Sequence, residues 1–65
     1  MTNHSDIQVS PKGYIAPTGV HHNEEDMREG LRNLPKCFSV TQDEWGDITV
    51  TDENGQSWVY VQVID

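Results

Sequence analysis

Two alternating runs of residues on either side of Asn54 and Gly55 restrict the fold of this chain more than any other feature. Residues 47–52 read DITVTD, with apolar residues at alternate positions. Residues 56–64 read QSWVYVQVI, with valines at alternate positions and Trp58, Tyr60 and Ile64 on the other side. A period of two is typical of β-strands. Asn-Gly is the dipeptide preferred in a two-residue type I′ turn, because both residues tolerate a positive φ. The sequence therefore predicts a β-hairpin at this point.

The register of the hairpin follows from the length of its turn. A two-residue turn places Glu53 opposite Gln56. Counting outward from that pair, the valines and Ile48 fall on one face of the sheet. The aromatic side chains of Trp58 and Tyr60 then fall on the other face, beside the threonines.

A third strand is predicted at residues 37–42, where apolar and polar residues alternate in CFSVTQ. Residues 44–46 would join it to the hairpin as a three-residue loop with Gly46 in the left-handed conformation, which is a G1-bulge hairpin. This loop places Val40 on the same face as the aliphatic residues of the hairpin, so the two turn signals agree. Together they predict a three-stranded antiparallel meander over residues 37–64.

Residues 23–34 carry the signals of one amphipathic helix. Asn23 is a favoured N-cap, and three acidic residues follow it in the first turn, where the helix dipole favours negative charge. Met27, Leu31 and Leu34 recur at helical spacing and form one narrow apolar stripe. The proline that follows the stripe ends the helix.

The expected fold is therefore α+β, a single domain over residues 1–65 in which one short α-helix packs on a three-stranded antiparallel β-meander. The helix stripe would cover the aliphatic face of the sheet. Residues 7–22 are expected to form an extended N-terminal arm or a short extra strand, because prolines and glycines interrupt them. Residues 1–6 are polar and are expected to be disordered. A domain of this size buries only about 60% of its unfolded surface, so its core is expected to be thin.

The charge of the chain is strongly acidic and unevenly placed. The formal net charge is −7 at pH 7, and no lysine or arginine follows Lys36. Recognition of nucleic-acid phosphates needs a basic patch, so direct binding to nucleic acid is not expected. An acidic surface instead favours partners that have a basic surface, although acidic residues also serve solubility alone.

Targeting and membrane signals are missing from the sequence. The N-terminal residues MTNHSDIQVS contain neither the basic nor the apolar region of a signal peptide. Apolar runs are far shorter than the roughly 20 residues that cross a bilayer. Cys37 is the one cysteine, which fits a reducing compartment better than a disulfide-stabilised secreted domain. We therefore expect a cytoplasmic protein without membrane association.

Patterns for catalysis and for metal binding are weak. His21 and His22 precede three acidic residues, but adjacent histidines on an extended segment point in opposite directions, so a metal site is not expected. Cys37 has no base beside it in the sequence and is expected to be a buried structural cysteine. Residues 13–19, GYIAPTG, lack the lysine and the strand–loop–helix order of a phosphate-binding loop. We expect neither catalysis nor a cofactor.

The aromatic residues are the strongest candidates for binding, since Trp and Tyr are enriched at interaction hot spots. Trp58 and Tyr60 lie on the second face of the predicted meander, which either the N-terminal arm covers or a partner meets. Trp45 lies at a predicted loop tip, where it either folds back onto the sheet or anchors a partner. The predicted partner-binding set joins these residues to the neighbouring acids: Trp45, Trp58, Tyr60, Asp43, Glu44, Asp47, Asp52 and Glu53.

These features predict a small acidic, non-enzymatic binding protein that occupies a basic surface of a larger protein. In size, charge and lack of catalytic residues the chain resembles, in general character, the small acidic inhibitors and nucleic-acid mimics of phages and mobile elements. One alternative is a small homo-oligomer, such as a homodimer, whose second sheet face is its own interface. Another is a metal-binding accessory domain that uses His21 and His22.

Overall fold

A computed structural model describes residues 7–64 and shows one α-helix packed on a five-stranded antiparallel sheet. The elements follow the chain as β1 (Tyr14–Ile15), β2 (His21–His22), α1 (Glu24–Arg32), β3 (Ser39–Gln42), β4 (Ile48–Thr51) and β5 (Ser57–Gln62). The strands lie side by side in the order β2-β1-β5-β4-β3. The α+β class is confirmed, whereas the three-stranded meander is incomplete because β1 and β2 extend the sheet beyond β5. The expectation for residues 1–6 lies outside the described residues.

β1 and β2 have two residues each, and both extend the sheet from the free edge of β5. Tyr14 pairs with Gln62 and Ile15 pairs with Val61, so β1 adds to the edge of β5 that the meander leaves unpaired. A tight turn, in which the Gly19 N–H donates to the carbonyl of residue 16 at 2.8 Å, returns the chain along β1 to form β2. Residues this few would not hold a strand alone, and the edge of β5 supplies the template.

The N-terminal segment, residues 7–10, is fixed by side chains rather than by a strand ladder. The Gln8 N–H donates to the side-chain oxygen of Gln42 at 3.1 Å, and the Gln42 amide donates back to the Gln8 carbonyl at 2.8 Å. The hydroxyl of Tyr14, a fully buried residue, donates to the same carbonyl at 3.2 Å. The two apolar side chains of the segment pack against the core. The segment therefore belongs to the core side of the sheet.

The helix forms where the capping pattern predicts it and ends at Arg32, two residues before the predicted end. The Asn23 side chain accepts the Asp26 N–H at 2.8 Å, which satisfies one of the open donors of the first turn. Met27 and Leu31 are buried against the sheet. Among residues 7–64, no helix has the length and the apolar character needed to cross a membrane.

The hairpin between β4 and β5 has a longer turn than the predicted one. The Asp52 N–H donates to the Gln56 carbonyl at 2.8 Å, so residues 53–55 form a three-residue loop. Gly55 has a φ of +86°, and within residues 7–64 positive φ values occur at glycines alone, which excludes a type I′ turn through Asn54. The Asp52 carboxylate favours the longer loop because it accepts the N–H groups of Asn54 and Gln56, both at 2.9 Å.

The extra loop residue shifts the register by one and exchanges the two faces of β5. Trp58 pairs with Val50 and Tyr60 pairs with Ile48, so both aromatic side chains lie on the side that the helix covers. The prediction that Trp58 and Tyr60 lie on the face opposite the helix is therefore wrong. The valines of β5, predicted beneath the helix, lie on the outside of the sheet.

The loop between β3 and β4 has the same design as the loop between β4 and β5. Residues 43–47 read DEWGD and residues 52–56 read DENGQ. In the first loop the Asp43 carboxylate accepts the N–H groups of the residues two and four positions later, both at 3.0 Å, as Asp52 does in the second. Gly46 has a φ of +89°, so this loop is the predicted G1-bulge turn. The shared pattern Asp-Glu-x-Gly was the signal that could have revealed the second loop.

The core lies between the helix and the inner face of the sheet. Within residues 7–64 it consists of five buried hydrophobic residues: Tyr14, Met27, Leu31, Ile48 and Val50. β4 is an interior strand of the sheet, because it pairs with β3 on one side and β5 on the other. Each fully buried aliphatic side chain contributes about 1.5–3 kcal/mol, so this core leaves a small margin once ordering of the chain is counted.

Replacement of Gln42 by alanine should release the N-terminal segment without unfolding the sheet. The Gln42 side chain makes three hydrogen bonds, two to Gln8 and one to the Gly46 carbonyl. At about 0.5–1.5 kcal/mol for each bond, Gln42→Ala should lower the free energy of unfolding by roughly 1.5–4.5 kcal/mol. Hydrogen exchange should show loss of protection at Gln8 while the amides that join β4 and β5 stay protected. Thr41→Ala, at the adjacent exposed position, is the control, and an equal effect of both variants would contradict the prediction.

Candidate functional site

The structure divides the predicted binding residues among three places. β4 separates the two loops, so they lie at opposite ends of the sheet, about 13 Å apart along its four residues. One loop carries Asp43, Glu44, Trp45 and Asp47, and the other carries Asp52 and Glu53. Trp58 and Tyr60 lie between the ends, on the helix side of β5. These side chains are therefore not brought together on one surface.

Residues 43–47, here called the Trp45 tip, present an exposed indole on a rigid loop. The Trp45 side chain is 68% exposed and does not fold back onto the sheet. The backbone N–H of Trp45 donates to the Asp43 carboxylate at 3.0 Å, and the backbone N–H of Gly46 donates to the Asp43 carbonyl at 3.0 Å. Gln42 donates to the Gly46 carbonyl at 3.1 Å, which ties the tip to β3. The backbone beneath the ring is fixed, whereas the ring itself faces water.

The loop between β4 and β5 is an internal control for the Trp45 tip. Asn54 occupies there the position that Trp45 occupies in the tip, and its N–H donates to Asp52 at 2.9 Å in the same way. A polar residue thus supports the same loop with the same hydrogen bonds. The indole of Trp45 is not needed for the turn, and its exposure gains nothing for folding.

The acidic residues of the Trp45 tip hold the loop and surround the indole with negative charge. The Asp43 carboxylate accepts two N–H groups of its own loop. The Asp47 carboxylate accepts the Gln62 N–H at 2.9 Å, which fastens the tip to β5. Glu44 is exposed beside Trp45. An apolar ring flanked by fixed carboxylates is therefore displayed at this end of the sheet.

A recess, here called the helix–sheet cleft, lies between α1 and β5 and has a volume of about 200 Å³. Its lining joins the helix stripe to the aromatic residues of β5: His22, Asp26, Met27, Gly30, Leu31, Leu34, Val50, Trp58 and Tyr60. The Trp58 indole N–H donates to the Tyr60 hydroxyl at 3.1 Å. The Tyr60 ring meets the His22 ring edge-on, with the ring centres 5.8 Å apart. Trp58 and Tyr60 therefore form the wall of a cleft rather than an open face.

Sequence reasoning did not bring these residues together, because it placed the helix stripe on the aliphatic face of the sheet and the two aromatic residues on the other. Asp26 and Gly30 are four residues apart, and each immediately precedes a residue of the apolar stripe, so the helical spacing places both at the edge of that stripe. The spacing could not show that they face an aromatic wall, because the predicted register turned Trp58 and Tyr60 the other way.

On the opposite side of the sheet, here called the outer face, the strand residues that the structure describes include no Asp, Glu, Lys or Arg. The strand pairing places nine residues on it: Ile15, His21, Ser39, Thr41, Thr49, Thr51, Ser57, Val59 and Val61. Val59 is 41% exposed and Val61 is 50% exposed. In a chain with a net charge of −7, this face is a broad neutral surface of mostly β-branched residues.

The adjacent histidines point away from each other. His21 pairs with Ile15 and His22 pairs with Tyr14, so the two rings lie on opposite sides of the sheet. Within residues 7–64, no three His, Cys, Asp or Glu side chains gather as a metal site would require. The metal-binding alternative through His21 and His22 gains no support from this geometry.

Cys37 is exposed, so the expectation of a buried structural cysteine is wrong. Its thiol donates to the Glu53 carboxylate at 2.9 Å. This hydrogen bond, together with partial desolvation and the negative charge of Glu53, raises the pKa of the Cys37 thiol. The thiolate is the reactive form of cysteine, so a raised pKa disfavours a nucleophilic role.

Comparisons with protein-family models, with curated proteins and with solved structures each returned no match.

Alkylation of Cys37 should be slow near neutral pH although the thiol is exposed. Because Glu53 raises the pKa of the thiol, the thiolate fraction near pH 7 is smaller than that of an ordinary cysteine. Glu53→Ala should therefore speed the reaction with iodoacetamide severalfold, whereas Glu44→Ala, in the other loop, should leave the rate unchanged. Mass spectrometry follows the labelling. A folded wild-type chain that reacts as fast as the urea-unfolded chain would show that Glu53 does not hold the thiol proton.

Proposed function

We propose that this chain is a small acidic, non-enzymatic binding protein that docks on a basic surface of a larger cytoplasmic protein, with Trp45 as the anchor of the contact. The observation that carries the proposal is the 68% exposure of Trp45 in a loop whose twin forms equally well with Asn54. A large apolar ring that folding does not require is best explained by a partner that buries it. Trp is the residue type most enriched at interaction hot spots.

The rigidity of the Trp45 tip favours tight docking. Binding normally loses free energy when flexible loops and side chains become ordered at an interface. Here the loop is already held by Asp43, by Gln42 and by the bond from Gln62 to Asp47. The partner therefore orders little more than the indole ring itself.

Charge defines the partner. The carboxylates of Asp43, Glu44 and Asp47 lie in the same five-residue loop as the ring, and the chain as a whole has a net charge of −7. An apolar pocket with a basic rim complements this arrangement and would gain from electrostatic steering. A basic groove that binds nucleic acid is one such surface, which is consistent with the action of a small acidic inhibitor. Asp52 and Glu53 contribute to the field from the far end of the sheet.

Exchange of the residues at the two loop tips tests the proposal. Trp45→Asn should change the free energy of unfolding by less than about 0.5 kcal/mol, because the twin loop already carries asparagine. It should abolish capture of the partner from a lysate of the source cells. The double variant Trp45→Asn with Asn54→Trp keeps the composition, the charge and one exposed tip tryptophan, so it should also fail to capture.

Salt completes this test, because screening weakens contacts between exposed charges. Capture by the wild type should fall as the salt concentration rises, and the captured proteins are identified by mass spectrometry. Equal capture by the wild type and the double variant would show that any exposed indole suffices, and it would end the proposal.

A second candidate function is self-association through the outer face. Two copies can bring their outer faces together without opposing carboxylates, because the nine side chains of that face carry no Asp or Glu. The rows of threonine and valine suit an isologous interface, in which each copy presents the same surface, and sheets stack about 10 Å apart in this way. The interface would be the neutral face, not the aromatic one predicted from the sequence.

Val61→Lys tests the second candidate. Val61 lies in the outer face and is 50% exposed, so a lysine there places a positive charge within the proposed interface with little effect on folding. Light scattering at high protein concentration should show a dimer for the wild type and a monomer for Val61→Lys. Val20→Lys, at a 55% exposed position in a turn, should remain dimeric.

Added salt should strengthen self-association, whereas it should weaken docking on a basic partner. Added salt screens the repulsion between two chains of net charge −7, so it should strengthen the dimer. A wild-type monomer at every protein and salt concentration would exclude this candidate.

A further inference from the structure

We propose that the helix–sheet cleft binds an alkylammonium group, the apolar stem and positively charged nitrogen of a lysine side chain on a partner protein. The inference rests on the proposed function for the basic nature of that partner and adds a second contact to it. The chemistry of the cleft is independent of the Trp45 tip and is tested separately below.

One end of the cleft is hydrocarbon. Leu31 and Leu34 line it from the helix side, and Val50 lines it from the sheet. Leu34 is only half-buried, so it keeps apolar surface that a ligand can cover. A recess of about 200 Å³ is smaller than the several hundred Å³ of a site for a drug-sized molecule, and it matches a single side chain.

The wall of the cleft is aromatic and offers no indole donor. The Trp58 N–H is the one donor of its ring, and the Tyr60 hydroxyl already accepts it at 3.1 Å. Both residues are half-buried, so part of each ring remains accessible. Ring faces attract cations through the aromatic quadrupole, and ammonium groups are the usual ligands of such walls.

The other end of the cleft carries a carboxylate. Asp26, in the first turn of the helix, lines the cleft, and no lysine or arginine of residues 7–64 belongs to the lining. His22 lies at the same end, against Tyr60. The cleft therefore grades from an apolar end to an acidic end, which matches an amphipathic cation and opposes an anion. A lysine extends its apolar stem along hydrophobic surface and its charge toward a polar end in this way.

Gly30 keeps the helix side of the cleft open. Glycine inside a helix is less favourable than alanine. Among the described residues, no atom would lie within 4 Å of a Cβ at Gly30, so close packing does not explain the glycine. The space beside it is open, and a large side chain there would narrow the entrance.

The acidic end of the cleft lies toward the Trp45 tip. His22 pairs with Tyr14, and Tyr14 pairs with Gln62. The Gln62 N–H donates to Asp47 of the Trp45 tip at 2.9 Å. A partner docked on the tip is thus positioned at the end of the sheet where a lysine nitrogen would meet Asp26.

Titration with three probes of equal length tests the cleft. The full chain with Trp45→Phe is used, so that Trp58 gives the fluorescence signal, and n-butylammonium, 1-butanol and butanoate are added at about pH 8 and low salt. Butylammonium should bind at least about fivefold more tightly than butanol, which is the gain expected for opposite charges about 4 Å apart in contact with water. Butanoate should not bind. Equal binding of butylammonium and butanol, or no saturable binding of any probe, would overturn the proposal.

Variants of the helix identify the site. Asp26→Asn should remove the preference for butylammonium over butanol, whereas Glu29→Gln, an exposed carboxylate of the same helix outside the cleft lining, should keep it. Gly30→Phe should fill the cleft and abolish binding of every probe. Gly30→Ala should retain binding and should raise the midpoint of thermal unfolding, because alanine favours a helix more than glycine does. The same loss of preference in Asp26→Asn and Glu29→Gln would show that net charge alone attracts the cation.

Two further comparisons separate this inference from the proposed function. A lysine-containing peptide should bind more tightly than the same peptide with norleucine, and the absence of that difference would exclude a lysine of a polypeptide as the occupant. Trp45→Asn should lose partner capture and keep butylammonium binding, so failure at either site is recognised without reference to the other.

Discussion

One carboxylate at the start of each hairpin loop fixes the length of that loop, and through it the register of the strands that the loop joins. Asp43 and Asp52 each accept two N–H groups of the following loop, and each thereby selects a three-residue loop. Loop length sets the register, and register decides which side chains of β5 face the helix. The aromatic wall of the cleft, the neutral outer face and the position of Trp45 all follow from these two aspartates.

The features predicted correctly are those that local chemistry decides. The N-cap at Asn23 and the G1-bulge loop at Gly46 depend on residues within a few positions of each other. The predicted register of β5 was wrong because the Asn-Gly dipeptide was interpreted without Asp52, whose carboxylate stabilises the longer loop. The sequence predicted β1 only as one of two alternatives, an extended arm or a short strand. A strand of two residues forms only where the edge of another strand, here β5, supplies its hydrogen bonds.

The candidate site was predicted only in part, for a geometric reason. Consecutive loops of a meander lie at opposite ends of the strand that joins them, so Trp45 and Asp52 could not share one surface even in the predicted fold. The exposure of Trp45 was foreseen as one of two outcomes and is what the structure shows. The cleft was beyond sequence reasoning, because it is a gap between two elements and its aromatic wall depends on the register of β5.

The two matching loops give this small protein the character of a display scaffold. The middle residue of each three-residue loop lies on a backbone that forms equally well with Trp45 or with Asn54, since the two occupy equivalent places. A substitution of one side chain in either loop can therefore change what the protein binds and leave the packing of the core unchanged. Two anchors held at a fixed spacing on opposite ends would bridge two target molecules, or grip two sites of one, and the joint engagement would multiply affinity through effective concentration.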